Sequence, residues 1–125
     1  TGLNRSQQKY RLIIDDAGGW EKFQKLLDLL DDIAKKHNSK IHSIASRWVL
    51  DQPGVAAIVL GIGSRSRATE NQAIARIQLD AEDRQHICQF LATQCDPRGD
   101  PYDFEREVGN EHHKIIHTDL QDFTA

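Results

Sequence analysis

The most restrictive feature of this 125-residue sequence is one unbroken apolar run, Val55 to Leu60 (VAAIVL), with a glycine on either side. A short segment that is apolar on both faces is typical of a parallel strand buried between helices. Such a strand satisfies its backbone N–H and C=O groups only by pairing with neighbouring strands. The chain offers no partner for it, so the sequence predicts one strand of a larger α/β structure.

Helical patterns flank this run on both sides. The apolar positions from Trp20 to Ala34 recur at steps of three and four, which places them on one face of a helix. Further helices are predicted to begin at the N-caps Ser39, Ser66 and Asp80. Residues 1–19 are polar and end in two glycines, so they are predicted to be mostly loop.

Charge divides the chain into two parts. Residues 1–95 carry 13 basic and 11 acidic side chains, whereas residues 96–125 carry 3 basic and 8 acidic ones. The apolar periodicity also stops near Leu91. We therefore predict a folded domain over 1–95 and an acidic, extended and solvated tail over 96–125.

Composition excludes several classes of protein. The longest apolar run is six residues, far short of the roughly 20 that cross a bilayer, and no secretion signal opens the chain. The two cysteines, Cys88 and Cys95, make neither a disulfide framework nor a zinc pattern. A net charge of −3 gives no general attraction to nucleic acid or anionic membranes. The sequence thus predicts a cytoplasmic protein with neither nucleic acid nor membrane as a partner.

The glycine turn after the apolar run is the candidate binding site. Gly61 and Gly63 lie between the predicted strand and a helix, where bare amides and a helix N-terminus favour a phosphate. Arg65 and Arg67 follow, and a guanidinium matches phosphate oxygens well. The third glycine of the dinucleotide fingerprint is missing at Ser66, which argues against a Rossmann fold. These residues alone leave open a plain strand-to-helix turn with solvated arginines.

Several runs bring a known family into view. They are IAKKH at 33–37, SIASRWVL at 43–50, QPGVAAIVLG at 52–61, the pair Glu70-Asn71, GGW at 18–20, FQ at 23–24 and GDPYDFER at 99–106. Over about residues 9–120 the chain resembles the C-terminal part of the aldo-keto reductases. The runs GGW, FQ and GDPYDFER resemble one bacterial-type branch of that family. The resemblance implies the C-terminal part of a TIM (β/α)8 barrel, mainly helical here, with residues 55–60 as its eighth parallel strand.

The resemblance also implies a function, the reduction of small carbonyl substrates with NADPH. This segment would supply the adenine and 2′-phosphate side of the cofactor site, with Arg67 at the 2′-phosphate. Glu70 and Asn71 would hold the adenine, and the phosphate would be lined by Gly61, Ile62, Gly63 and Ser64. Several family members carry Lys-Ser where this chain has Gly61-Ile62. One cation is therefore absent, strict preference for NADP over NAD stays open, and Arg65 is a candidate replacement.

No catalytic residue is assigned within this chain. In the family, the catalytic Asp, Tyr, Lys and His belong to earlier strands, so the remainder of the barrel is required as a partner. The resemblance implies an NADP-dependent reductase as a complete protein and an inactive segment in isolation.

Three alternatives stand beside this interpretation. The first is a non-catalytic remnant of the same fold that binds a nucleotide or a protein partner. The second is a helix-turn-helix DNA reader over 33–50, whose phosphate contacts would be Lys35, Lys36, Lys40 and Arg47. The third is a metal cluster in the tail, formed by Glu111, His112, His113 and His117. The acidic pI disfavours the second, and a spacing that matches no zinc motif disfavours the third.

Overall fold

The structure, a computed structural model, describes residues 2–94 and 99–115. The elements of this part are α1 (Arg5–Asp16), α2 (Trp20–Lys36), α3 (Ile41–Leu50), α4 (Arg65–Ile74), α5 (Ala81–Leu91), α6 (Pro101–Phe104) and a 3₁₀ turn (His113–Ile115). None of these helices is long and apolar enough to cross a membrane. Two compact units are formed, one by residues 24–93 and the other by the described residues before and after them.

The larger unit, residues 24–93, has an apolar core built from three helices and the connection before α5. Its buried members are Leu30, Ile33, Ala34, Ile44, Ile77, Leu79 and Ile87. Burying an aliphatic side chain of this size contributes about 1.5–3 kcal/mol relative to leaving it in water. The spacing of the α2 members is the three- and four-residue step that the sequence predicts, so the helical face is confirmed.

The strand predicted over residues 55–60 is wrong for this structure. The segment has no regular secondary structure, and its side chains are half-buried or exposed, with Val59 fully in solvent. The physical reason is that a strand satisfies its backbone N–H and C=O groups only by pairing with neighbouring strands. Since residues 2–94 and 99–115 contain no strand at all, the backbone groups of this segment have no ladder to join.

The expected N-terminal loop is also wrong, because residues 5–16 form α1. Asn4 and Gln7 make a reciprocal capping box in which Asn4 Oδ1 accepts from the Gln7 amide at 2.9 Å and Gln7 Oε1 accepts from the Asn4 amide at 3.0 Å. An N-cap residue such as Asn4 followed three positions later by a glutamine is a sequence signal for the start of a helix. The two glycines do end the helix as expected, since Gly18 and Gly19 have φ angles of +115° and +89°.

The helix starts near the candidate site differ from the predicted ones by one or two residues. The N-cap of α3 is Lys40 rather than Ser39, and the N-cap of α4 is Ser64 rather than Ser66. At α5 the prediction is confirmed, because Asp80 and Asp83 form a capping box.

The described part of the predicted tail is not extended. Residues 99–115 contain α6 and the 3₁₀ turn, and His112 is buried with its Nε2 at 2.9 Å from Asp16 Oδ2. No group of three potential metal ligands occurs among the described residues. Cys95, Asp96 and His117 lie outside them. The division of the chain at residue 95 stays a prediction.

A buried carboxylate connects the end of α2 to the start of α5. Asp83 is 1% exposed; its Oδ1 lies 2.8 Å from Lys36 Nζ and its Oδ2 lies 2.6 Å from His37 Nε2. Lys36 Nζ also lies 2.6 Å from Asp80 Oδ2. Burial raises the pKa of Asp83, but the bonds from Lys36 and His37 outweigh it and keep that pKa below its ordinary value. The bond from Lys36 lowers the pKa of Asp80 to about 2.

These lowered pKa values predict a loss of stability in acid. Below pH 3.8, the ordinary pKa of an aspartate, the carboxyl groups of Asp80 and Asp83 bind protons in the unfolded chain while they remain ionised in the folded chain. The free energy of unfolding therefore falls as pH drops from about 4 to about 2. Lys36→Met removes the main cause of the shift. We expect this variant to be less stable than the unaltered chain at pH 7 and to converge with it near pH 2.

Denaturant unfolding followed by circular dichroism at several pH values measures the difference. Lys35→Met is the matched control, because Lys35 is the adjacent residue on α2 and pairs with exposed Asp31 instead. An equal pH dependence of Lys36→Met and the unaltered chain would contradict the assignment.

Candidate functional site

A cavity of about 520 Å³ lies where the start of α3 meets the start of α4. The two helices pack against each other within the larger unit. The lining residues are Lys40, His42, Ser46, Leu60, Gly61, Ser64, Ser66, Arg67, Glu70 and Asn71. Five of the seven predicted cofactor residues, Gly61, Ser64, Arg67, Glu70 and Asn71, therefore line one cavity.

The other two predicted cofactor residues do not line the cavity. Ile62 is 69% exposed and Gly63 is also exposed. Arg65, the candidate replacement for the absent cation, is exposed and likewise lies outside the lining. The structure thus separates the two arginines of the turn, with only Arg67 at the cavity.

Glu70 is held as an anion in this cavity. Lys40 Nζ lies 2.5 Å from Glu70 Oε1, and His42 Nε2 lies 3.7 Å from Oε2. The hydrogen bond from Lys40 lowers the pKa of Glu70 against the opposing effect of desolvation, with smaller contributions from the charges of Lys40, His42 and Arg67. A carboxylate offers about four acceptor sites, so these contacts leave Glu70 able to accept a further hydrogen bond.

Asn71 ties the glycine turn to α4. Its Nδ2 donates to the carbonyl oxygen of Gly61 at 3.3 Å. Ser64 accepts from the Arg67 amide at 3.4 Å, and its Oγ lies 2.9 Å from that of Ser66. These contacts position two hydroxyl groups and one amide side chain beside the glycine turn.

The two glycines of the turn are not required by the chain's own conformation. Neither Gly61 nor Gly63 has a φ in the left-handed region, and a Cβ at either position would meet nothing within 4 Å. Glycine in such an open turn permits a bound group to approach the backbone closely. The open side of the turn is therefore compatible with a phosphate contacting main-chain amides.

The first turn of α4 carries positive charge, which is unfavourable at a helix N-terminus. It contains Arg65 and Arg67 and no acidic residue, whereas the first turn of α5 contains Glu82 and Asp83. A cation at a helix N-terminus opposes the macrodipole, and each such charge typically costs about 0.3–1 kcal/mol. A bound anion at this end would remove the conflict, which makes anion binding the chemistry that the cavity favours.

Five lining residues were not identified as part of this site from the sequence, namely Lys40, His42, Ser46, Leu60 and Ser66. Lys40 was considered only as a DNA-phosphate contact, and it lies 30 positions before its partner Glu70. No spacing rule connects residues so far apart, and only the packing of α3 on α4 brings them together. Ser66 follows the turn directly and was assigned to a cap instead.

The basic residues of the DNA-binding alternative have partners within the chain. The pairs are Lys35 with Asp31, Lys36 with Asp80 and Asp83, Lys40 with Glu70, and Arg47 with Asp51. The five carboxylates of these pairs offset the charge of the four cations, so the pairs leave no net positive charge to attract a DNA backbone. The observation favours the interpretation of 33–50 as two packed structural helices.

Comparison with known proteins adds one finding. The model of the aldo/keto reductase family matches residues 2–92, which include α1 to α5 and every residue of the cavity. No curated protein and no solved structure matches the chain.

The geometry around Glu70 predicts a measurable change in its titration. Lys40→Met removes the hydrogen bond that lowers the pKa of Glu70, so we expect that pKa to rise toward its ordinary value. Carboxyl ¹³C chemical shifts followed over a pH series report it directly. Lys35→Met, which alters a lysine outside the cavity, is expected to leave Glu70 unchanged, and an unshifted Glu70 in Lys40→Met would show that the pair does not persist in solution.

Proposed function

The chain belongs to the aldo/keto reductase family, and we propose that it supplies the adenine and 2′-phosphate side of the cofactor site in an NADP(H)-dependent oxidoreductase. The observation that carries the proposal is the convergence of Arg67, Glu70 and Asn71 with the glycine turn around one cavity. Barrels of this class commonly bind phosphate in the loops after their last strands. The first turn of α4, which contains Arg67 and no acidic residue, supports the same position.

Each residue has a role that its chemistry supports. Arg67 binds the 2′-phosphate, because its guanidinium offers a fork of donors to phosphate oxygens. Glu70 accepts from the adenine amino group, and Asn71 offers an amide oxygen and a second N–H beside it. The turn from Gly61 to Ser64, including the backbone of Ile62 and Gly63, lines the phosphate with amides and one hydroxyl.

The cofactor, when bound, supplies the hydride that reduces a carbonyl group. None of the chain's residues is given a catalytic role in this proposal; Tyr10 and Tyr102 are both exposed, at 65% and 59%. The proton donor and the nicotinamide pocket are assigned to the other strands of a complete barrel. In that barrel, residues 55–60 become the eighth strand, because neighbouring strands then satisfy their backbone groups.

A second candidate function is nucleotide binding without catalysis. The cavity forms although residues 2–94 and 99–115 contain no strand, and its lining residues all belong to the unit of residues 24–93. This observation favours a module that retains a nucleotide site independently of the reaction. Both candidate functions bind the same nucleotide, but only the reductase function needs the remainder of the barrel as a partner.

Arg67→Ala tests the cofactor assignment. Because the arginine would contact only the additional phosphate of NADPH, we expect affinity for NADPH to fall about 10–100-fold and affinity for NADH to change little. Isothermal titration calorimetry measures both. Arg65→Ala, two residues before Arg67 and outside the cavity lining, is the control. Equal losses for the two cofactors would refute the 2′-phosphate role of Arg67.

The separation of binding from catalysis gives a further prediction. The 125-residue polypeptide alone is expected not to oxidise NADPH in the presence of aliphatic or aromatic aldehydes, because the proposal places the proton donor elsewhere. Absorbance at the reduced-nicotinamide band follows the reaction. Carbonyl-dependent oxidation above the rate without protein would overturn this part of the proposal.

A further inference from the structure

Lys40 is an unusual residue for the position that it occupies. It is the N-cap of α3, yet its side chain makes no capping hydrogen bond. Lysine cannot accept a bond from the helix amides, and its charge opposes the macrodipole there. The demands of helix initiation therefore do not explain it, whereas its place in the cavity does, since its ammonium group lies 2.5 Å from Glu70 Oε1.

The cavity needs a second cation if it is to bind a doubly charged phosphate beside a carboxylate. Among the Lys, Arg, Asp and Glu residues of its lining, Lys40 and Arg67 face one acid, Glu70, which gives a net formal charge of +1. Without Lys40 the formal charge would be zero. Arg65 does not contribute a lining side chain, so it is not the replacement for the cation absent at Gly61-Ile62.

We propose that Lys40 is the second cation of this cavity and that it sets the preference for an adenine nucleotide carrying a 2′-phosphate. The inference rests on the proposed function and adds a specificity-determining residue from a different helix. An ammonium group has three N–H donors, so Lys40 retains two after bonding Glu70. It both neutralises that carboxylate and presents donors to phosphate oxygens. Its exposed side chain, 62% in solvent, lets it move toward a ligand.

Two nucleotides that differ by one phosphate test the inference. Adenosine 2′,5′-bisphosphate and adenosine 5′-monophosphate are titrated into the full chain by calorimetry, and the ratio of their affinities is recorded. Lys40→Met is expected to lower affinity for the bisphosphate about 5–20-fold and to change that for the monophosphate less than about twofold. Lys40→Arg is expected to keep the ratio, because it retains the charge. Arg65→Met is the matched control, a basic side chain nearby that does not line the cavity.

The outcomes separate this inference from the proposal beneath it. If the unaltered chain prefers the bisphosphate and Lys40→Met does too, Lys40 is not the determinant, while the proposed function stands. Equal losses for both nucleotides would assign Lys40 to positioning Glu70 and would also overturn the inference. A similar change in Arg65→Met would show that the general positive charge of the region sets the preference, and it would overturn the inference. If the unaltered chain binds neither nucleotide, the proposed function fails and the inference with it.

Discussion

Backbone hydrogen bonding is the constraint on which this structure depends. A helix satisfies its amides and carbonyls within one segment, whereas a strand relies on other segments. The chain accordingly forms its helices, and the most apolar run, 55–60, stays without regular structure and largely in water. An apolar segment left in solvent between two packed helices is consistent with a family whose barrel has more strands than the described residues contain.

Charged groups, as well as apolar ones, hold the larger unit together. Asp83 connects α5 to the end of α2, and Asp51 connects α3 to α5 by accepting from Arg47 and, at 2.6 Å, from Arg84. Both carboxylates are buried or nearly so, and each has two cationic or histidine partners. Removing one partner from such a cluster leaves a buried charge uncompensated, so replacing either partner is expected to destabilise the unit. The fixed α3 in turn positions α4 and the cavity.

The two helices that begin at the candidate site, α3 and α4, lack the reciprocal capping boxes of α1 and α5 and have no acidic residue in their first turns. Both α1 and α5 begin with side chains that accept from backbone amides in capping boxes. At the cavity, α3 begins with Lys40 and α4 has two arginines in its first turn, so positive side chains meet positive helix ends. Local rules are broken most often where a ligand compensates for them. The two helix starts together place positive side chains beside Glu70, where we propose that a phosphate binds.

Much of this chain follows from local sequence alone. The amphipathic face of α2, the glycine break after α1 and the Asp80–Asp83 capping box each depend on residues within a few positions of one another. The placement of Arg67, Glu70 and Asn71 near the glycine turn is of this kind too, because they lie within about two turns of α4. Tertiary structure alone decided that Lys40 and His42 join them and that Arg65 does not, since this depends on how α3 packs on α4. It also decided the state of residues 55–60, because strand formation is a property of the neighbours that a segment finds and not of its own side chains.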